Sequence, residues 1–130
     1  MRIEARTALD PELAALIAAQ QRESRALYAP DGDCAYLIAV IAERVVAYAA
    51  WCLVGDDLTE VRHLYVRPAF RNQGIARQLI VAVEEEALAA GRPVLRLETG
   101  LPAAVALFQS SGYHQTSACG FEKRLAALVQ

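Results

Sequence analysis

The stretch Tyr65–Ile80, "YVRPAFRNQGIARQLI", decides how this chain folds. Tyr65 and Val66 close "LTEVRHLYV", a segment that reads as a strand. A loop stiffened by Pro68 follows, and then Gly74. Beyond the glycine, apolar residues stand at Ile75, Leu79, Ile80, Val83, Ala87 and Leu88, spaced for a helix face packed on a sheet. Between Val61 and Val83 there are four arginines (Arg62, Arg67, Arg71 and Arg77) and no acid, although the chain's formal net charge is −2.

A helix N-terminus exposes unpaired backbone N–H groups and about half a positive charge, so it is a natural anion site. Here Gly74 lets the backbone turn and lets a ligand approach closely. Ala76 is too small to block a bulky phosphate, and Arg71 and Arg77 add positive charge at the rim. Alone, R-x-x-G-x-A also fits an ordinary glycine-containing loop. With a strand before it, a helix after it and the acid-free arginine window, it describes a cradle for a pyrophosphate. The glycine is not followed by G-K-[ST], and no G-x-G-x-x-G occurs, which disfavours kinase and dehydrogenase chemistry.

The rest of the chain supplies a sheet for this junction. "RIEART" reads as a first strand, and "DPELAALIAAQQRESRAL" as a helix capped by Asp10 with Pro11 at its first position. "CAYLIAVI" and "VVAYAAWCLV" are nearly continuous apolar runs, typical of strands covered on both faces. "LTEVRHLYV" is the third strand of that meander. A helix over 74–90 leads into the strand "VLRLETG"; "EEE" at 84–86 lies mostly off its apolar stripe and reads as a solvated face. "PAAVALFQSSG" is a short helix ended by Gly112, and "YHQTSAC" and "GFEKRLAALV" read as a closing pair of strands. Strand, helix and strand over 58–66, 74–90 and 94–99 imply a parallel pair with a right-handed crossover. The expected fold is α/β: a mixed sheet, antiparallel in the meander and parallel in this core, with helices on its faces.

At 130 residues the chain is expected to form one domain, residues 1–130. Its 55% hydrophobic and 22% charged fractions are those of a soluble globular protein, and its charge does not suggest a general nucleic-acid binder. Cys34, Cys52 and Cys119 are far apart in an odd count, without metal-ligand or redox spacing. They read as small buried hydrophobes in a reduced, cytoplasmic protein. The N-terminus has no apolar run that would make a secretory signal. Cys34 to Val54 is about as long as a membrane span, but Glu43 and Arg44 sit at its middle, each costing roughly 2.5–3.5 kcal/mol there. Two strands joined by a turn at "AERV" fit better, so no membrane partner is expected.

The junction resembles the GNAT superfamily of acetyl-CoA-dependent N-acetyltransferases. Their [Q/R]-x-x-G-x-[G/A] signature, between the fourth strand and third helix, is matched by Arg71-Asn72-Gln73-Gly74-Ile75-Ala76. "LYVRPAFR", "LRLETG", "AVALFQSSGY" and "FEKRL" resemble further family segments in the right order, over about residues 35–125. The resemblance implies a GNAT-type fold splayed between strands four and five, with acetyl-CoA as cosubstrate and no metal. The pantetheine arm would pair with the backbone of Leu64, Tyr65 and Val66 like an added strand. The pyrophosphate would rest on the amides of residues 71–76, with Arg77 beside them, and the thioester would lie near the start of the fourth helix, near Phe108.

Acetyl transfer needs a deprotonated amine, a stabilised oxyanion and, usefully, a proton for the leaving thiolate. Glu60 is the candidate base, directly or through water; an apolar cleft would raise its pKa towards neutrality. The plain alternative is a strand-end carboxylate paired with Arg62. Glu98 could orient the amine or anchor the loop after its strand. His63 reads as a satisfied core histidine and His114 as exposed. The family's usual acid is a tyrosine in "A-L-Y"; Phe108 stands there and cannot donate a proton. Water, Tyr113 or Ser111 is left to protonate the thiolate. Leu101 stands where an asparagine or glutamine is common, so one polar contact to the coenzyme is expected to be missing.

The first reading is thus an N-acetyltransferase acting on a small-molecule or peptide amine. The second is a non-catalytic acyl-CoA-binding or sensing module, motivated by Phe108. The third is an interaction domain that has lost the ligand, which Gly74 and Ala76 argue against. The acceptor pocket would come from residues around Tyr28–Asp33 and Ser117–Gly120. The apolar strands leave a homodimer open.

Overall fold

The computed structural model describes residues 1–24, 34–99 and 102–125. The chain runs β1 (Arg2–Arg6), α1 (Pro11–Ser24), β2 (Ala35–Ile41), β3 (Arg44–Val54), β4 (Leu58–Val66), a 3₁₀ turn (Pro68–Phe70), α2 (Ile75–Ala89), β5 (Val94–Glu98), α3 (Pro102–Ser110), β6 (His114–Gln115) and β7 (Gly120–Arg124). The strands form one sheet in the order β1-β2-β3-β4-β5-β7-β6. Among the described residues only β4 and β5 are parallel, as the crossover through α2 requires; the other pairs are antiparallel.

Local chemistry sets these elements. Asp10 caps α1: its Oδ2 accepts from the Leu13 N–H at 2.9 Å, meeting one of the orphan donors of the first turn. Ala42 and Glu43 both take positive φ, 50° and 63°, which closes the β2–β3 hairpin in a turn whose twist suits the strands. The turn expected at "AERV" is therefore present. Among the described residues no helix is long and apolar enough to cross a membrane.

The sheet divides two cores. Leu13, Leu16 and Ile17 of α1 pack with Tyr36, Ile38, Val40, Val45, Tyr48, Ala50 and Tyr65 on one face. The other face packs Leu37, Ala39, Ala47, Ala49, Val61, Leu95 and Leu97 beneath α2, with Phe108, Tyr113 and Phe121 beside them. Strands covered on both sides account for the near-continuous apolar runs of β2 and β3.

Three expectations are corrected. The final strands are shorter than the sequence suggests: β6 stops at Gln115 because Thr116 and Gly120 close a tight turn, with the Thr116 N–H on the Gly120 carbonyl at 2.9 Å. Residues 126–129 lie outside the described residues. Cys34 and Cys52 are not separate thiols. The β2–β3 register pairs Ala35 with Trp51, which sets the two cysteines opposite each other, 4.7 Å apart at Cα, and a disulfide joins them. Strand register carries this pairing, and cysteine spacing does not. Cys119 is free and exposed.

Closing a loop of this length removes about 3 kcal/mol worth of unfolded-chain entropy. Reductant is therefore expected to lower the denaturation midpoint, and the unreduced native protein should titrate as one thiol. Three titratable thiols and an unchanged midpoint would contradict the cross-link.

Candidate functional site

Strand pairing defines the site. β4 is bonded to β5 only from Leu58 to Val61, whereas on its β3 side it is paired as far as Val66. Beyond Val61 the β5 side of β4 has no strand partner among the described residues. Two local features open this gap. Ala50 pairs with His63 and Trp51 with Val61, so Arg62 is an extra residue in β4, a bulge that bends the strand. After β5 the chain stays with β7, the Thr99 N–H bonding the Cys119 carbonyl at 2.8 Å.

The free edge leads into a cavity of about 280 Å³, lined by Val66, Phe70, Arg71, Asn72, Gly74, Ile75, Ala76, Arg77 and Leu107. Gly74 precedes α2 with φ +80°, and a Cβ built there would meet nothing within 4 Å. The position thus demands glycine's conformation and leaves open space beside the helix end. The first turn of α2 carries no acid. A larger cavity, about 530 Å³, lies between α2 and β1–β2 and shares Arg77 with the first.

The two rim arginines differ. Arg71 donates to the Val66 carbonyl at 2.9 Å and reaches Glu23 of α1 at 2.8 Å, its guanidinium 5.6 Å from the Tyr65 ring centre. Its charge is thus partly answered, and so is one acceptor on the free edge. Arg77 is held by the hydroxyls of Ser111 and Ser110 at 3.0 and 2.6 Å, with no acidic partner among the described residues. It keeps its charge at the mouth of the cavity.

Glu60 lies on β4 opposite Arg96 of β5. Arg96 donates to Glu60 Oε2 through Nε and Nη2 at 2.9 and 2.5 Å, and Arg62 Nε donates to Oε1 at 3.0 Å. Burial alone would raise the Glu60 pKa, but the hydrogen bonds from Arg96 and Arg62 prevail and hold it below the usual carboxylate range. The condition for a rise towards neutrality is not met, because the cleft is not apolar at this point, and the pairing with Arg62 is present. Glu98 is exposed at the end of β5. Burial, aided by Arg62, lowers the His63 pKa and leaves it neutral at pH 7.

Tyr113 and Phe108 are buried, packed with Phe121 at ring-centre distances of 6.2 Å (Phe108 to Tyr113) and 5.8 Å (Phe108 to Phe121). The Tyr113 hydroxyl donates to Glu84 Oε2 of α2 at 2.7 Å, and Lys123 joins the same oxygen at 3.2 Å. Burial first, then that bond, push the phenol pKa upward. The structure thus puts Tyr113 in a core anchor and Phe108 in the core, and brings neither to the cavity wall. Glu84 belongs to the anchor, where the sequence suggested a solvated face.

This geometry, a β4 edge freed by splaying and a glycine-led helix end facing it, is accompanied by a match of residues 4–113 to the acetyltransferase (GNAT) family model. The chain belongs to the GNAT acetyltransferase family. An IAA acetyltransferase of Azospirillum brasilense is 41% identical over 56 residues, which are 42% of this chain and 37% of that protein, well under two-thirds of its length. A candidate acyl-CoA N-acyltransferase of Klebsiella pneumoniae is 28% identical with a TM-score of 0.85, over 96% of this chain and 97% of that one. A GNAT family acetyltransferase of Elizabethkingia anophelis, solved with acetyl-CoA bound, shares the fold at 18% identity and a TM-score of 0.79, over 95% and 97% of the two chains.

Of the residues singled out from the sequence of this GNAT domain, the cavity brings together Val66, Arg71, Asn72, Gly74, Ile75, Ala76 and Arg77. Leu64 and Tyr65 lie on the free edge. Gln73 is exposed in the loop and is not part of the wall. The sequence carries no signal for Phe70, Leu107 or Glu23; Phe70 lies in the loop before Gly74, but nothing in the sequence aims Glu23 at Arg71. The expectations for Leu101 and for residues 28–33 lie outside the described residues. Among those described, no group of three or more metal-ligating side chains occurs.

Tyr113→Phe is expected to lower stability by about 1 kcal/mol, the worth of one buried hydrogen bond, and to leave turnover within about twofold. A much larger fall in turnover, measured beside a denaturation curve, would return the phenol to the chemistry.

Proposed function

We propose that this chain transfers an acetyl group from acetyl-CoA to a primary amine by direct attack. The observation that carries the reading is the free edge of β4 running straight into a glycine-led, acid-free helix end. An extended thioester arm with amides can pair along Leu64, Tyr65 and Val66 as an added strand would, though the Arg71 side chain already occupies the Val66 carbonyl. The open space at Gly74 and the first N–H groups of α2 suit a pyrophosphate, with Arg77 supplying the unanswered charge.

In this reading the amine gives up a proton to Glu60, directly or through water. Its lone pair attacks the thioester carbon; the nitrogen then releases its second proton to water, the carbon–sulfur bond breaks, and coenzyme A leaves as a thiolate. Held ionised by two arginines, Glu60 is always ready to accept a proton but is a weak base, so water is the natural intermediary. Backbone N–H groups at the free edge are the available donors to the oxyanion. Glu98 is a second carboxylate for the incoming ammonium. With Phe108 in the core and Tyr113 bound to Glu84, the thiolate takes its proton from solvent, which a thiol of ordinary pKa near 8.5 permits. The same two placements favour the second reading, a module that binds acyl-CoA without turnover.

Calorimetric titration with acetyl-CoA, followed by a thiol-release screen over amines, tests both. Gly74→Asp should abolish binding by placing negative charge in the cradle, whereas Gly74→Asn, which tolerates positive φ, should weaken it much less. Glu60→Gln should slow turnover about tenfold and leave acetyl-CoA affinity unchanged. Binding without turnover on any amine selects the second reading; indifference to Gly74→Asp removes the phosphate site.

A further inference from the structure

Arg96 was not singled out by its sequence, yet it is the residue most closely engaged with Glu60. The two occupy one rung of the parallel ladder, and the next rung, Val61 with Leu97, is the last before the strands part. Val61, Leu95 and Leu97 turn into the α2-side core, so Glu60 and Arg96 emerge on the opposite face. Arg96 spans the two strands there with two donors on a single oxygen, Oε2, leaving Oε1 to Arg62. A two-pronged guanidinium contact fixes direction as well as distance. The same row runs on to Glu122 of β7, which pairs with Arg96 in the ladder.

We propose that Arg96 is a positioning residue: it clamps Glu60 across the point where β4 and β5 separate, so that the carboxylate is held in place and aimed at the gap. This rests on the reading of Glu60 as the proton acceptor. Among the described residues, the charged and titratable groups around Glu60 are Arg62 and His63 from β4, Arg96 and Glu98 from β5, and Glu122 from β7. Cys52, opposite it on β3, is in the disulfide and does not titrate. Of these, Arg96 and Arg62 are the two that bond Glu60. Without Arg96, burial is opposed by Arg62 alone, so the Glu60 carboxyl must titrate at higher pH.

The experiment follows the Glu60 carboxyl by carbon-13 NMR in glutamate-labelled protein, its signal assigned by loss in Glu60→Gln, and measures acetyl-CoA-dependent amine turnover in parallel. Arg96→Gln should move the Glu60 midpoint up by about half a unit or more and lower kcat about fivefold, with acetyl-CoA affinity unchanged. Arg96→Lys, which keeps the charge and guards against misfolding, should restore most of the midpoint and part of kcat. In the Glu60→Gln background, Arg96→Gln should cost nothing further, because the clamp has nothing to hold. An unmoved midpoint, or an equal loss of kcat with and without Glu60, overturns the proposal. Full turnover in Glu60→Gln alone would instead overturn Glu60 as proton acceptor, and with it the catalytic purpose of the clamp, even where the midpoint shift showed the clamp itself to be real.

Discussion

The parallel ladder between β4 and β5 stops at Val61 and Leu97, and the site is arranged around that stop. Two strands cannot part within a sheet without leaving backbone donors and acceptors unpaired, and an unpaired group costs about 1–3 kcal/mol if it is also cut off from water. This chain keeps the cost low in several ways. The bulge at Arg62 bends β4 away, the turn before β7 holds Thr99 on the β7 side, and the Arg71 side chain takes the Val66 carbonyl. The rest of the free edge opens on the gap. A ligand with amides in an extended arm can replace water there at little net loss, and the end of α2 lies just beyond.

The two cores explain why such a gap is stable. β2 and β3 are covered on both faces, by α1 on one side and α2 on the other, so the meander is rigid up to β4. On the far side, Phe108, Tyr113 and Phe121 pack together, and Glu84 joins α2 to the Tyr113 hydroxyl and to Lys123 of β7. That anchor ties α2 to the β5–β7 half of the sheet. Phe108 and Tyr113 are used for this packing; in the reaction proposed above, proton delivery to the leaving group then falls to solvent.

Much of the architecture was legible because it is written locally. The apolar runs of β2 and β3, the cap at Asp10, Gly74 before an amphipathic helix and the R-x-x-G-x-A loop each carry their own signal within a few residues. What could not be read depends on register and on long-range pairing. Cys34 and Cys52 meet only because Ala35 pairs with Trp51. An apolar cleft would have raised the Glu60 pKa; the rung it shares with Arg96 reverses the direction. Glu84 sits in an acidic run that looks solvated, and only the fold brings Tyr113 and Lys123 to it. Glu23 and Arg71 are joined across the face of the sheet by the packing of α1.

Amide hydrogen exchange in the absence and presence of acetyl-CoA reads the backbone groups of the free β4 edge and of the α2 end themselves. New protection is expected to concentrate in Leu64–Val66 and in residues 71–77, with the β1–β3 meander unchanged. Protection spread evenly over the sheet, or confined to the cavity between α2 and β1, would contradict binding at that edge and helix end.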